Sequence, residues 1–156
     1  MISCILATDM AKHFNKMNEL QSKLKLLNIN EGRNIENLIK EEKTIDENQQ
    51  MILDITNHLC DISNPSKKNQ IYDKWVDLVF KEFFNQGDLE REAKKPISLL
   101  CDRETTKIPK AQLGFISYIV KPFFNIYCDM VPEIQPLIDN LNSNCERYRL
   151  MDAEDE

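Results

Sequence analysis

An all-α fold is what this sequence predicts, and three observations predict it. Apolar residues recur at steps of three and four along most of the chain. Only 3 Gly and 6 Pro interrupt 156 residues. No two runs of strict apolar–polar alternation exist that could pair as strands.

The elements follow in order. Ile2, Leu6, Met10, Phe14, Met17, Leu20, Leu24 and Leu27 make one helical face over 2–27. "NINEGRN" (28–34) breaks it, with Gly32 as a turn residue, and a short helix fits 35–42. A longer helix covers 46–62, with Met51, Ile52, Ile55 and Leu59 facing inward, and Pro65 stops the chain from continuing. The next runs over 69–93, with Tyr72, Trp75, Val76, Val79, Phe80 and Phe83 on one face and Pro96 closing it. A loop over 98–108 leads to "PKAQLGFISYIVKPFFNIYCDM". Pro109 suits a first helical turn, whereas Pro122 should kink or interrupt the helix. Pro132, Glu133 and Pro136 open a last helix through Leu150. The acidic end "DAEDE" belongs to a disordered tail over 151–156.

Composition limits the function classes. The net charge of −6 argues against a broad nucleic-acid-binding surface. No apolar run approaches the roughly 18 residues of a membrane span, and the N-terminus lacks a basic stretch of the secretory kind. Cys4, Cys60, Cys101, Cys128 and Cys145 show no CxxC spacing. They read as reduced, mostly buried thiols of a cytoplasmic protein, with Cys60 in the core.

Five stretches carry a resemblance: "ILATDMAKHF" (5–14), "HLCDISNP" (58–65), "YDKWVDLVFKEFFNQGDLE" (72–90), "PISLLCDR" (96–103) and "IPKAQLGFISYIVKPFF" (108–124). In this order and spacing they resemble the class I 3′,5′-cyclic nucleotide phosphodiesterase catalytic domain. The likeness implies that 1–150 is the C-terminal portion of that compact multi-helix domain. The family's first half carries an HNxxH and an HDxxH motif that supply metal-binding histidines and a general acid. Neither motif is present; the only histidines are His13 and His58. The chain therefore looks like a fragment, a truncated gene model or an alternative product.

The resemblance also implies roles. The complete domain would hold two divalent ions, zinc with magnesium or manganese, which activate a water and clamp the phosphoryl group. Asp61 matches the family's late metal-ligand aspartate, which leaves the site incomplete in this chain. A plainer reading has Asp61 and Asn64 turning the chain before Pro65. Gln112 resembles the purine-binding glutamine, whose carboxamide is both donor and acceptor. Phe115 would stack on the base and Val79 would close the other side. Asn64 and Tyr72 match further pocket positions, and Thr8 a lining position. Without the resemblance, Phe115, Val79, Tyr72 and Trp75 are ordinary core residues, and Trp75 is core on either reading. His58 reads as a hydrogen-bonded, partly buried histidine, and His13 as a local partner of Asp9.

Two functions fit. One is a cyclic nucleotide phosphodiesterase, acting on cyclic AMP or cyclic GMP and represented here by part of its domain. The other is a catalytically inactive truncated product acting as a binding or regulatory module. Neither calls for nucleic acid or membrane contact by this segment, and oligomeric state is open.

Overall fold

Thr8 and Asp9 end the first helix after six residues. The structure, a computed structural model, describes residues 2–26 and 45–154. Helix α1 is Ile2–Ala7, and after a 3₁₀ turn at Met10–Lys12 helix α2 runs His13–Leu26. The single helix expected over 2–27 is thus two. The cause is local: Asp9 Oδ1 accepts from Ala11 N at 3.0 Å, and Thr8 Oγ1 donates to Ile5 O at 2.9 Å. These side chains offer the backbone an alternative to helical pairing. The break also rotates the apolar stripe. Leu20 and Leu24 are buried, but Ile2, Leu6, Met10 and Phe14 are exposed. Leu27 and the short helix at 35–42 lie outside the described residues.

Helix α3, Ile45–Asp61, buries Met51, Ile52, Ile55 and Leu59 as its periodicity requires. A 3₁₀ turn at Asn64–Ser66 follows, then α4, Asn69–Glu92. Pro96 is not what stops α4. Lys94 takes φ 53°, Lys95 N donates to Glu90 O at 2.9 Å, and Lys94 N to Arg91 O at 3.0 Å. That left-handed C-terminal cap satisfies the last carbonyls two residues before the proline.

Helix α5, Ile108–Gly114, carries Pro109 in its first turn. The backbone then widens to a π-helix over Phe115–Val120 before α6, Lys121–Met130. Pro122, expected to interrupt the helix, stands in the first turn of α6. The wider turn lies just N-terminal to it, where the proline ring would crowd the preceding carbonyls. A 3₁₀ turn at Pro132–Ile134 opens α7, Gln135–Glu154. Residues 151–154 are therefore helical, where the composition suggested a disordered tail. Met151, Ala153 and Glu154 favour the helix and outweigh Asp152. Among the described residues there is no strand, and no helix is long and apolar enough to cross a membrane.

The chain forms two compact units. The first is Met1–Ser63 with Val120–Ile138. In it α1 packs on α3: Ser3 Oγ donates to Asp54 Oδ2 at 2.8 Å, and Asn57 Nδ2 to Cys4 O at 2.9 Å. Burial would raise the Asp54 carboxyl, but the Ser3 and Gln50 hydrogen bonds and the Lys16 charge outweigh it and hold it low. Helix α2 packs on α6, and Thr56 and Tyr127 hydroxyls meet at 2.7 Å. The second unit is Asn64–Ile119 with Asp139–Glu156. Tyr72, Val76, Phe80, Ile116, Leu141 and Tyr148 are among its buried residues. All five cysteines are free, but only Cys101 and Cys145 are buried, and Cys60 is exposed rather than in the core.

Candidate functional site

The predicted residues fall into the two units, and each group is built by its own helices. In the first unit Asp61 is the last residue of α3 and is exposed. His58, one turn earlier, is fully buried. Its Nε2 lies 2.9 Å from His13 Nδ1, so the two imidazoles share one hydrogen bond. Phe123 packs on both rings, with centroids 5.3 and 5.6 Å away. His13 thus pairs across the unit with His58, whereas its spacing from Asp9 suggested a local pair. The separation of 45 positions hid this partner from any local reading. Burial foremost, and then the neighbouring His13, pushes the His58 imidazole below its usual range.

Among the described residues no three His, Cys, Asp or Glu side chains gather as a ligand set. Asp61 alone is a single exposed carboxylate. A zinc-like ion takes three or four protein ligands, so the residues present here do not by themselves fit one.

The second unit assembles more of the prediction. Gln112 sits on α5 and is only 7% exposed, which is unusual for a helical glutamine. Its Oε1 accepts the hydroxyl of Tyr72 from α4, and Tyr72 is 1% exposed. Burial pushes the Tyr72 phenol up, so it stays protonated and can donate to this carbonyl. One lone pair of Oε1 is then engaged. Phe115 follows three residues later, at the start of the π-helix, and is half-buried. Val79, seven residues beyond Tyr72 on α4, is 38% exposed. Trp75 is 54% exposed, so the core role expected for it is not what α4 gives it. Asn64 opens the 3₁₀ turn, and its buried Oδ1 has no hydrogen-bond partner among the described residues. A buried acceptor of this kind calls for a partner, which an ordered water or a ligand can supply. Thr8, in the first unit, spends its hydroxyl on Ile5 O.

Four residues went unnoticed in the sequence. Arg147 grips Asp73 with two bonds, at 2.8 and 2.6 Å, and Tyr148 Oη donates to Asp73 Oδ1 at 3.1 Å. Asn144 Nδ2 donates to the carbonyls of Pro65 and Lys67, each at 2.8 Å. These residues lie 74 to 79 positions from their partners. Only the 144, 147, 148 spacing on one helical face could have hinted at a shared contact.

Comparison with known proteins adds three findings. The family model of the 3′5′-cyclic nucleotide phosphodiesterase matches residues 1–141. A probable 3′,5′-cyclic-AMP phosphodiesterase, pde-4, of Caenorhabditis elegans is 38% identical over 149 residues, which are 95% of this chain and 21% of that protein. A 3′,5′-cyclic-AMP phosphodiesterase of Drosophila melanogaster is 36% identical over 151 residues, 96% of this chain and 14% of its own length. The chain thus spans about a fifth or less of these curated relatives. The solved structure of LmjPDEB1 in complex with IBMX superposes with TM-score 0.80 at 26% identity, over 96% of this chain and 42% of that one.

Proposed function

This chain belongs to the 3′,5′-cyclic nucleotide phosphodiesterase family, and we propose from that premise that it supplies the base-reading wall of a site that hydrolyses cyclic AMP to 5′-AMP. The observation that carries the reading is the buried carboxamide of Gln112 held by the Tyr72 hydroxyl. A carboxamide free to flip would serve adenine and guanine alike, since each base edge needs one donor and one acceptor. A carboxamide fixed through Oε1 presents them in one order only, and so favours one base. The relatives' names put adenine first. Half-buried Phe115 would stack on the ring, Val79 would cover its other face, and the orphan Asn64 Oδ1 would accept a hydrogen bond from the ligand.

The same residues set what this chain does during the reaction. They bind and orient the nucleotide, so that its phosphoryl group is presented in one pose. Asp61 would be one ligand of a divalent ion, whose chemistry is to activate water. Zinc with magnesium or manganese would need further ligands from beyond the described residues. Both histidines of the chain are fully buried and share one hydrogen bond in the core. That supports the second reading, in which residues 1–156 alone bind nucleotide without turning it over. The free thiols fit a reducing compartment, and we place the protein in the cytoplasm.

The test is an assay of purified 1–156 with cyclic AMP and cyclic GMP, each with Mg²⁺, Mn²⁺ or Zn²⁺. No turnover above buffer is expected, while cyclic AMP should compete for binding better than cyclic GMP. Turnover that co-purifies with the chain and disappears in Asp61→Ala would overturn the expectation of inactivity. Equal competition by both nucleotides would overturn the adenine assignment.

A further inference from the structure

We infer that one face of α7 is the platform that positions the base-reading residues, and that the ring of Tyr148 sets base specificity without touching the base. The inference rests on the reading of Gln112 given above and extends it to residues that the family comparison does not single out.

Asn140, Asn144, Arg147 and Tyr148 recur at steps of four, three and one, so they share one face of α7. That face meets the turn that begins at Asn64 and the start of α4. Asn140 Nδ2 donates to Ser66 O at 3.1 Å, and Asn144 Nδ2 to Pro65 O and Lys67 O. Three successive carbonyls of the turn are thereby held by α7 amides. Asn144 is 2% exposed, so its bonds form out of water, where a missing partner is costly. Arg147 and Tyr148 both bind Asp73, the residue after Tyr72.

The decisive contact is between rings. Tyr148 meets Tyr72 edge to face, with centroids 5.4 Å apart and planes at 66°. Tyr72 is buried, and its hydroxyl must reach Gln112 Oε1. Swinging the Tyr72 ring about its side-chain bonds carries that hydroxyl off the carboxamide. The Tyr148 ring closes one direction of swing, while the Arg147 fork holds the Asp73 carboxylate beside it. A helix that only filled space would do so with apolar groups. Here the polar choices carry direction, each aimed at a segment that bears a base-reading residue. The ring of Tyr148 is the lever: its hydroxyl shares Asp73 with Arg147 and can be lost.

The experiment measures dissociation constants of 5′-AMP and 5′-GMP, which cannot be turned over, for wild type, Tyr148→Phe, Tyr148→Leu and Gln112→Ala. Tyr148→Phe keeps the ring and should keep the AMP-to-GMP preference. Tyr148→Leu fills the space without an aromatic edge and should lower the preference by about 2–10-fold, the worth of one neutral hydrogen bond. A circular-dichroism melt of each variant separates this from loss of fold, since the ratio of two ligands is read only on folded protein. If Tyr148→Leu keeps the wild-type ratio while Gln112→Ala weakens AMP binding, the platform is overturned and the base-reading assignment stands. If Gln112→Ala binds AMP as wild type does, the assignment itself fails and takes the platform with it.

Discussion

His58 and His13, both fully buried, share one hydrogen bond in the first unit. A hydrogen bond and partial burial were expected of His58; the hydrogen bond is present and the burial is complete. The partner could not be guessed, because His13 arrives from another helix, 45 positions away. The pairing has a consequence for pH. In the unfolded chain His58 titrates near 6.5, and burial together with His13 lowers that value in the fold. Lys16 acts in the same direction and Asp61 against it. The unfolded state therefore holds more protons between the two values. Stability is intact above about pH 6.5 and falls as the pH drops towards the folded value, by up to about 1.4 kcal/mol per pH unit. Urea midpoints at pH 7.5, 6.5 and 5.5 should decline for wild type and decline less for His58→Gln. Parallel curves would show that the pair carries no proton linkage. Gln112 was the opposite case. The role expected of it came from a resemblance carried by five ordered motifs, and nothing local announced that Tyr72 would hold its carbonyl.

Among the elements, α3 and α4 were legible almost to the residue, because long amphipathic stretches state their own period. The break between α1 and α2 was not. Two short polar side chains outweighed a regular apolar stripe, and the stripe's first half faces solvent as a result. The π-helix before Pro122 was foreseen only as a disturbance. The packing of the 93–107 loop on α4 was not visible either, although Gly87 marks it. A Cβ placed there would lie 1.9 Å from Cys101 O and 2.7 Å from its carbonyl carbon. The loop cannot easily retreat, since Ser98 N donates to Glu90 at 2.6 Å and Arg91 to Asp102 at 2.7 Å. Gly87→Ala should therefore cost about 1–3 kcal/mol, as overpacking does. Gly114 on α5 has nothing within 4 Å of the same position, and Gly114→Ala should gain about 0.5–1 kcal/mol. Chemical denaturation of both variants checks the pair. Equal stabilities would mean that the loop does not press on α4.

For the whole molecule, the fold class followed from periodicity, while the family followed only from ordered motifs. Helical spacing is common to very many folds and could not have named a purine site. Two apolar surfaces, one in each unit, are left bare by the described residues. In the first unit Ile2, Ile5, Leu6 and Phe14 are exposed, and in the second Ile71, Trp75 and Leu78. Clusters of this kind promote association. Light scattering of purified 1–156 should show association that grows with concentration, and Ile5→Lys with Leu78→Lys should reduce it. A monodisperse monomer with a sharp reversible melt would contradict that. The central claim is that this chain reads a purine through Gln112, and a titration with cyclic AMP tests it most directly. In ¹⁵N-labelled wild type the Gln112 side-chain amide should shift and saturate. Gln112→Ala loses both hydrogen bonds to the base, about 1–3 kcal/mol, and should bind about 5–150-fold more weakly. Equal affinity in wild type and Gln112→Ala, with no shift at the Gln112 amide, would contradict the claim.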